Sequence, residues 1–199
     1  SYIGQTDLPL GPQGREQARG WGRFFREIPL AVIVSSDLAR ARETADLIKG
    51  GRHVPRVIKP GFREISLGSW ENMPFAKLRE QAPGAFQKRG QAIDTYRPPG
   101  GESFLDLQQR AVSTFYYTIV ETAGEVTKTA GEVAKTAGEA EDNILIVAHA
   151  GVNRVLLCHI LGMPVVNLFR LGQEYACLNT ITQKDNAFHL LRFNQSLDA

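Results

Sequence analysis

Residues 144–153 read ILIVAHAGVN, a continuous apolar run that stops at a histidine and passes through Ala150 and Gly151 into a helical pattern. No other stretch restricts the fold as much. A short apolar run bounded by Asp142 and Asn143 on one side and by small residues on the other suits a fully buried strand of a parallel sheet. Val152, Val155, Leu156 and Ile160 then suit one face of a helix. His149 is therefore expected at a strand's carboxyl end. Open α/β sheets bind ligands beyond those ends, where the free N–H groups of the following helix attract anions.

The same arrangement recurs upstream. The apolar residues 31–34 precede Ser35, Ser36 and Asp37, read as helix caps, and a helical stretch follows over 38–49 with Arg40 in its first turn. An early-helix arginine is usually a solvated residue, and a lone histidine after a strand is usually structural. Their joint appearance at equivalent junctions instead suggests a phosphate pocket, because a forked, permanently charged guanidinium and helix N-termini both favour phosphate oxygens.

With 199 residues, 43% of them hydrophobic and 22% charged, the chain can bury an ordinary core as one domain. A net charge of +2, with scattered basic residues, gives no reason to expect nucleic acid. No apolar segment has membrane-spanning length and the N-terminus lacks signal-peptide features, so a cytoplasmic protein is expected. Cys158 and Cys177 lie among apolar residues without metal-ligand spacing and read as core thiols of a reducing compartment.

Along the chain, a polar loop over 4–12 leads to a helix from Gln13 to about Arg26, with Ala18, Trp21, Phe24 and Phe25 as its buried stripe. Gly50 and Gly51 break the next helix before a strand near 57–59. Residues 62–71 read as an ordered loop over the sheet edge, 74–91 as helix punctuated by Pro83 and Gly84, and 98–101 as a turn before a long helix reaching Val120. Residues 122–142 repeat every seven: TAGEVTK, TAGEVAK, TAGEAED. A glycine in each heptad costs ~1 kcal/mol against alanine in a helix interior, so this segment is expected to be a helical extension or insertion without catalytic role, a partner-binding heptad being the alternative.

Four segments, SDLARARETA at 36–45, REISLGSWE at 63–71, GGES at 100–103 and VAHAG at 147–151, resemble in this order the histidine phosphatase, or phosphoglycerate mutase-like, superfamily. The segment GQTDLPL at 4–10, with Gly14, Gln17 and Ala18, is similar to the loop and helix located after that family's first catalytic segment. The resemblance implies a three-layer α/β/α fold with a mostly parallel central sheet. It implies phosphomonoester hydrolysis through a phosphohistidine intermediate, with no metal and no cofactor. By motif, Arg40 and His149 hold the phosphate oxygens and Glu64 is the proton donor, with Glu71 the second candidate acid. Gly4, Gln5, Ala150 and Gly151 are expected on the substrate side, with Phe75 and Phe104 as aromatics that line the pocket or fill the core.

The family's nucleophile lies in an Arg-His-Gly triplet that ends its first strand, and no such triplet occurs in the 199 residues. Arg52-His53 follows two glycines rather than an apolar strand and reads as a loop pair. We expect residues 1–199 to form one domain whose first strand precedes Ser1, the alternative being an inactive phosphate-ester-binding protein. The mutases of the family hold a carboxylate with extra arginines after the acid and with an adjacent arginine pair. This chain has Ile65, Ser66 and Leu67 after Glu64 and no adjacent arginines, which favours phosphatase over mutase. The segment NLFRLGQEYACLN at 167–179 resembles members that act as α-ribazole phosphatases. The expected partner is a small-molecule phosphate ester, with no nucleic acid and no membrane, and a homodimer is left open.

Overall fold

The computed structural model describes residues 3–129, 143–185 and 187–197, and for 123–129 the helical backbone alone. Strand β1 (Val32–Ser35) is central to a parallel sheet of order β2-β1-β3, flanked by β2 (Arg56–Ile58) and β3 (Ile144–Val147). All four residues of β1, three of them β-branched, are buried, as a strand between two layers requires. The pleat sends alternate side chains to opposite faces. Val32, Val34, Ile144 and Ile146 pack with α5 (Phe104–Thr129) and α6 (Ala150–Ile160), while Ile33 and Leu145 pack with Trp21 and Phe25, from α1 (Pro12–Phe24) and its following turn, and with Ala45 and Ile48 of α2 (Ala39–Lys49). Helix layers on both faces of a parallel sheet make the three-layer α/β/α architecture.

Two short helices, α3 (Phe75–Gln81) and α4 (Pro83–Gln91), break at Pro83 as expected, and 3-10 turns at Pro60–Phe62 and Gly68–Trp70 order the loop between them and the sheet. The antiparallel pair β4 (Leu178–Lys184) and β5 (Ala187–Gln195) went unread in the sequence. Among the described residues β3 pairs only with β1, and β4 only with β5, so each leaves one edge without a partner strand.

Several expectations need correction. Ser35, Ser36 and Asp37 do not cap α2: its N-cap is Leu38 without a side-chain hydrogen bond, and Asp7 Oδ1 accepts from Ala39 N at 2.6 Å. Phe24 is 37% exposed, so the buried stripe of α1 rests on Ala18 and Trp21, continued by Phe25 in the turn that follows. Helix α5 runs past Val120 to Thr129 and takes in the first heptad, while the repeat over 130–142 lies outside the described residues. Cys158 is buried in the core, whereas Cys177 is half-buried near Gln173; both are free thiols.

Candidate active site

The register of the sheet aligns Val34 with Ile146 and Ser35 with Val147, so β1 and β3 end together. The ladder continues one step further, with Ser36 N donating to Val147 O at 3.2 Å. This places Ser36 beside the residue that opens α6, and Ser36 Oγ and His149 Nε2 share a hydrogen bond of 2.7 Å. The two junctions picked out in the sequence are thus in contact. Ser36 has a role that a capping pattern could not reveal: it fixes the imidazole.

His149 is 9% exposed. Burial, then the positive charges of Arg40 and Arg110, push its pKa from 6.5 down to about 3, against a smaller opposing effect of Asp37. The imidazole is therefore neutral at ordinary pH. An unfolded chain takes up a proton at this position as the pH falls through about 6.5, and the folded chain does not until about 3. Stability present above 6.5 is therefore lost between those values, at about 1.4 kcal/mol per pH unit. Denaturant midpoints measured from pH 7 to pH 4 are expected to fall less steeply for His149→Gln than for the wild type. Equal slopes would show that His149 is not held neutral.

Arg40, in the first turn of α2, donates from Nη1 to Thr6 O at 2.9 Å and from Nη2 to Gly4 O at 2.8 Å. Its remaining N–H groups have no acceptor among the described residues. The loop at 4–6 is held from the other side by Glu71, which accepts from Gly4 N, Gln5 N, Thr6 N, Thr6 Oγ1 and Leu67 N over 2.7–3.2 Å. A side chain at Gly4 would collide with Glu71 and the Ile65 carbonyl. Burial acts to raise the Glu71 pKa, but these donors outweigh it and hold the carboxyl below its usual range. Glu71 is thus an anchor for the loop, not a proton store.

Glu64 differs in kind. Arg63 turns away to pair with Asp37, and the Glu64 carboxyl accepts from Ile65 N at 2.8 Å and from Gly151 N, in the first turn of α6, at 2.9 Å. Only a glycine at 151 permits this approach, since a Cβ there would strike the carboxyl. Burial raises the Glu64 pKa above the usual carboxylate range by more than Gly151, Ile65, Arg40 and Arg110 lower it. A carboxyl held above the usual carboxylate range by burial, at a helix N-terminus that attracts anions, is suited to give a proton to a neighbouring group.

Beside Glu64, Ala150 and Gly151 lies a cleft of about 440 Å³. Its walls include Leu67, Phe75, Phe86, Ile93, Phe104 and Phe169, so both aromatics singled out in the sequence reach it; Phe104 is also core, and Phe75 is exposed. Arg89 and Arg154 line it too, from α4 and α6. Gln5 sits behind the site, donating from Nε2 to Glu64 O at 3.1 Å. Of the residues expected at the site, Glu64, Ala150 and Gly151 line this cleft; Gly4, Gln5, Arg40 and His149 do not, the Gly4 and Gln5 N–H groups being taken by Glu71 and Arg40 tying the 4–6 loop from the side of α2. Sequence reasoning missed Ser36, Arg110 and the two cleft arginines.

The chain matches the model of the histidine phosphatase superfamily (branch 1) over residues 1–196, and the protein belongs to that family. Relatives include the adenosylcobalamin/alpha-ribazole phosphatase of Salmonella typhimurium, 28% identical over 90% of this chain and 81% of its own length. The glucosyl-3-phosphoglycerate phosphatase of Mycolicibacterium vanbaalenii is 31% identical over 85% of this chain and 70% of its own. A mycobacterial glucosyl-3-phosphoglycerate phosphatase solved with inorganic phosphate superposes with a TM-score of 0.82 at 27% identity, covering 100% of this chain and 93% of the other. The relatives are named as phosphatases, and membership of the family supports an enzyme of phosphatase type. No helix among the described residues is long and apolar enough to cross a membrane.

Proposed function

We propose that the protein hydrolyses phosphomonoesters through a phosphohistidine intermediate, with α-ribazole 5'-phosphate as the leading candidate substrate. The observation that carries the reading is that His149 on Ser36 and Glu64 on Gly151 N stand at the start of α6 beyond the ends of β1 and β3, with Arg40 near enough for its charge to act on both. Arg40 and the first-turn N–H groups of α6 other than that of Gly151, which Glu64 accepts, would hold the phosphate oxygens, with His149 as a neutral donor. Charge spreading over those oxygens in the transition state is stabilised by groups already in place. Glu64 would protonate the departing alkoxide. The aromatic cleft next to Glu64 offers stacking surface to a planar base such as the benzimidazole of α-ribazole, in keeping with the Salmonella relative.

The nucleophile is assigned to an Arg-His-Gly triplet on a strand added to the open edge of β3. That edge lies next to His149, and an unpaired edge with apolar residues between helical layers is a site that sheets ordinarily fill. The native gene upstream of the Ser1 codon is expected to encode an apolar strand ending in Arg-His-Gly. Unrelated residues there would leave a phosphate-ester-binding protein instead.

A panel of phosphomonoesters tests the function. Protein expressed from the native gene, in excess EDTA, is expected to turn over p-nitrophenyl phosphate and to show its highest kcat/KM on α-ribazole 5'-phosphate rather than on 3-phosphoglycerate. Loss of turnover in EDTA would contradict the metal-free mechanism, and a preference for 3-phosphoglycerate would contradict the substrate.

A further inference from the structure

Arg110 lies on α5, outside the cleft, yet its N–H groups converge on the backbone that carries Glu64. Nη1 donates to Gly61 O at 3.0 Å and Arg63 O at 2.8 Å, and Nη2 donates to Glu64 O at 2.9 Å. The rest of the fork is taken by Glu102, with Nε to Oε1 at 2.7 Å and Nη2 to Oε2 at 2.9 Å. Glu102 in turn accepts from Ser66 N at 2.8 Å and donates its own N–H to Ser66 O at 2.8 Å. One ion pair from the start of a single helix therefore grips the main chain on both sides of Glu64.

A fork of this kind fixes position as well as charge. Arginine presents its donors in a rigid plane, and here that plane is satisfied by carbonyls from Gly61 to Glu64 together with a carboxylate. The segment so held contains no regular helix or strand between the turn at Pro60–Phe62 and the turn at Gly68–Trp70, so hydrogen-bond ladders do not set it. Without the fork, nothing in local secondary structure would keep the Glu64 carboxyl opposite Gly151 N.

We propose that Arg110, locked by Glu102, is a positioning residue that holds the Glu64 backbone so that its carboxyl stays at the N-terminus of α6, within reach of a departing alcohol. The inference rests on Glu64 being the proton donor. Its signature is selective: a misplaced acid slows only substrates whose leaving group needs a proton, while damage to the phosphate site slows every substrate alike.

The test compares Arg110→Gln and Glu102→Gln with the wild-type full-length enzyme on glycerol 2-phosphate, whose alkoxide leaves poorly, and on p-nitrophenyl phosphate, whose phenolate leaves unaided. Both variants are expected to lose about 10- to 100-fold in kcat on the first substrate, with KM within about twofold, and less than about threefold on the second. Equal losses on the two substrates, or no loss on either, would overturn the proposal. Thermal melting of each variant identifies failure to fold, and if one variant does not fold the other decides. Glu64→Gln separates the acid from its support: if it too shows no dependence on the leaving group, the assignment of Glu64 fails; if it shows that dependence and the Arg110 and Glu102 variants do not, only the positioning role fails.

Discussion

Replacing His149 or Arg40 with alanine is expected to lower kcat/KM for phosphomonoester hydrolysis by at least ~10²-fold, close to 2.7 kcal/mol of transition-state stabilisation. The size follows from where these groups stand. His149 is buried and hydrogen-bonded to Ser36, and the Arg40 guanidinium is half-buried with part of its donor set uncommitted, so neither must reorganise when phosphate arrives. The charge of Arg40 acts on both His149 and Glu64. If both side chains serve the same phosphoryl group, as proposed, the double variant is expected to lose little more than the worse single one. Arg40 also ties the carbonyls of Gly4 and Thr6, so its variant is to be compared with wild type by thermal melting. Activity retained in both single variants would reject the assignment.

Glu64→Gln is expected to lower kcat on an alkyl phosphate by about 10²- to 10⁴-fold while leaving p-nitrophenyl phosphate within about tenfold of wild type. An alkoxide is a far poorer leaving group than a nitrophenolate and needs the proton in the transition state. Burial keeps the Glu64 carboxyl protonated to higher pH than an ordinary glutamate, which suits an acid working near neutrality. Glutamine keeps one acceptor oxygen for the Gly151 N–H, sets its NH2 against the Ile65 N–H that the second carboxyl oxygen accepted, and has no acidic proton to give. Glu71→Gln, at the anchor of the 4–6 loop, is expected to show no such dependence on the leaving group. If Glu71→Gln reproduces the leaving-group pattern and Glu64→Gln does not, the two carboxylates have been assigned the wrong way round.

The pair of junctions was legible in the sequence. A buried strand of a parallel sheet is apolar on both faces, and the helix after it shows its own period, so 31–45 and 144–160 carried enough signal to place Arg40 and His149 together at one end of the sheet. The hairpin over 178–195 did not show itself because apolar residues fall on both faces of β5, with Leu190 beside Leu191, and because register shifts break the pairing between Leu178 and Ile181. Its turn did leave a sign at Asp185, which adopts φ 51°, a left-handed backbone that aspartate tolerates.

The cap reading of Ser36 and Asp37 went wrong for an instructive reason. Capping is a local signal, and here tertiary partners, His149 for one and Arg63 for the other, outcompeted the helix end that Asp7 then served. Arg110, Arg89 and Arg154 were invisible for a related reason. Arg110 bonds carbonyls 46 to 49 residues away, and Arg89 and Arg154 reach the cleft from separate helices, so no spacing along the chain encodes these meetings.

The most direct measurement is the calorimetric binding of orthovanadate, a phosphate mimic, to the wild type, Arg40→Ala and His149→Ala. One equivalent is expected to bind the wild type, with affinity reduced at least about tenfold in each variant, since each loses a charged or hydrogen-bonding partner of the same anion. Equal affinity in all three proteins would show that guanidinium and imidazole do not face a common phosphoryl group.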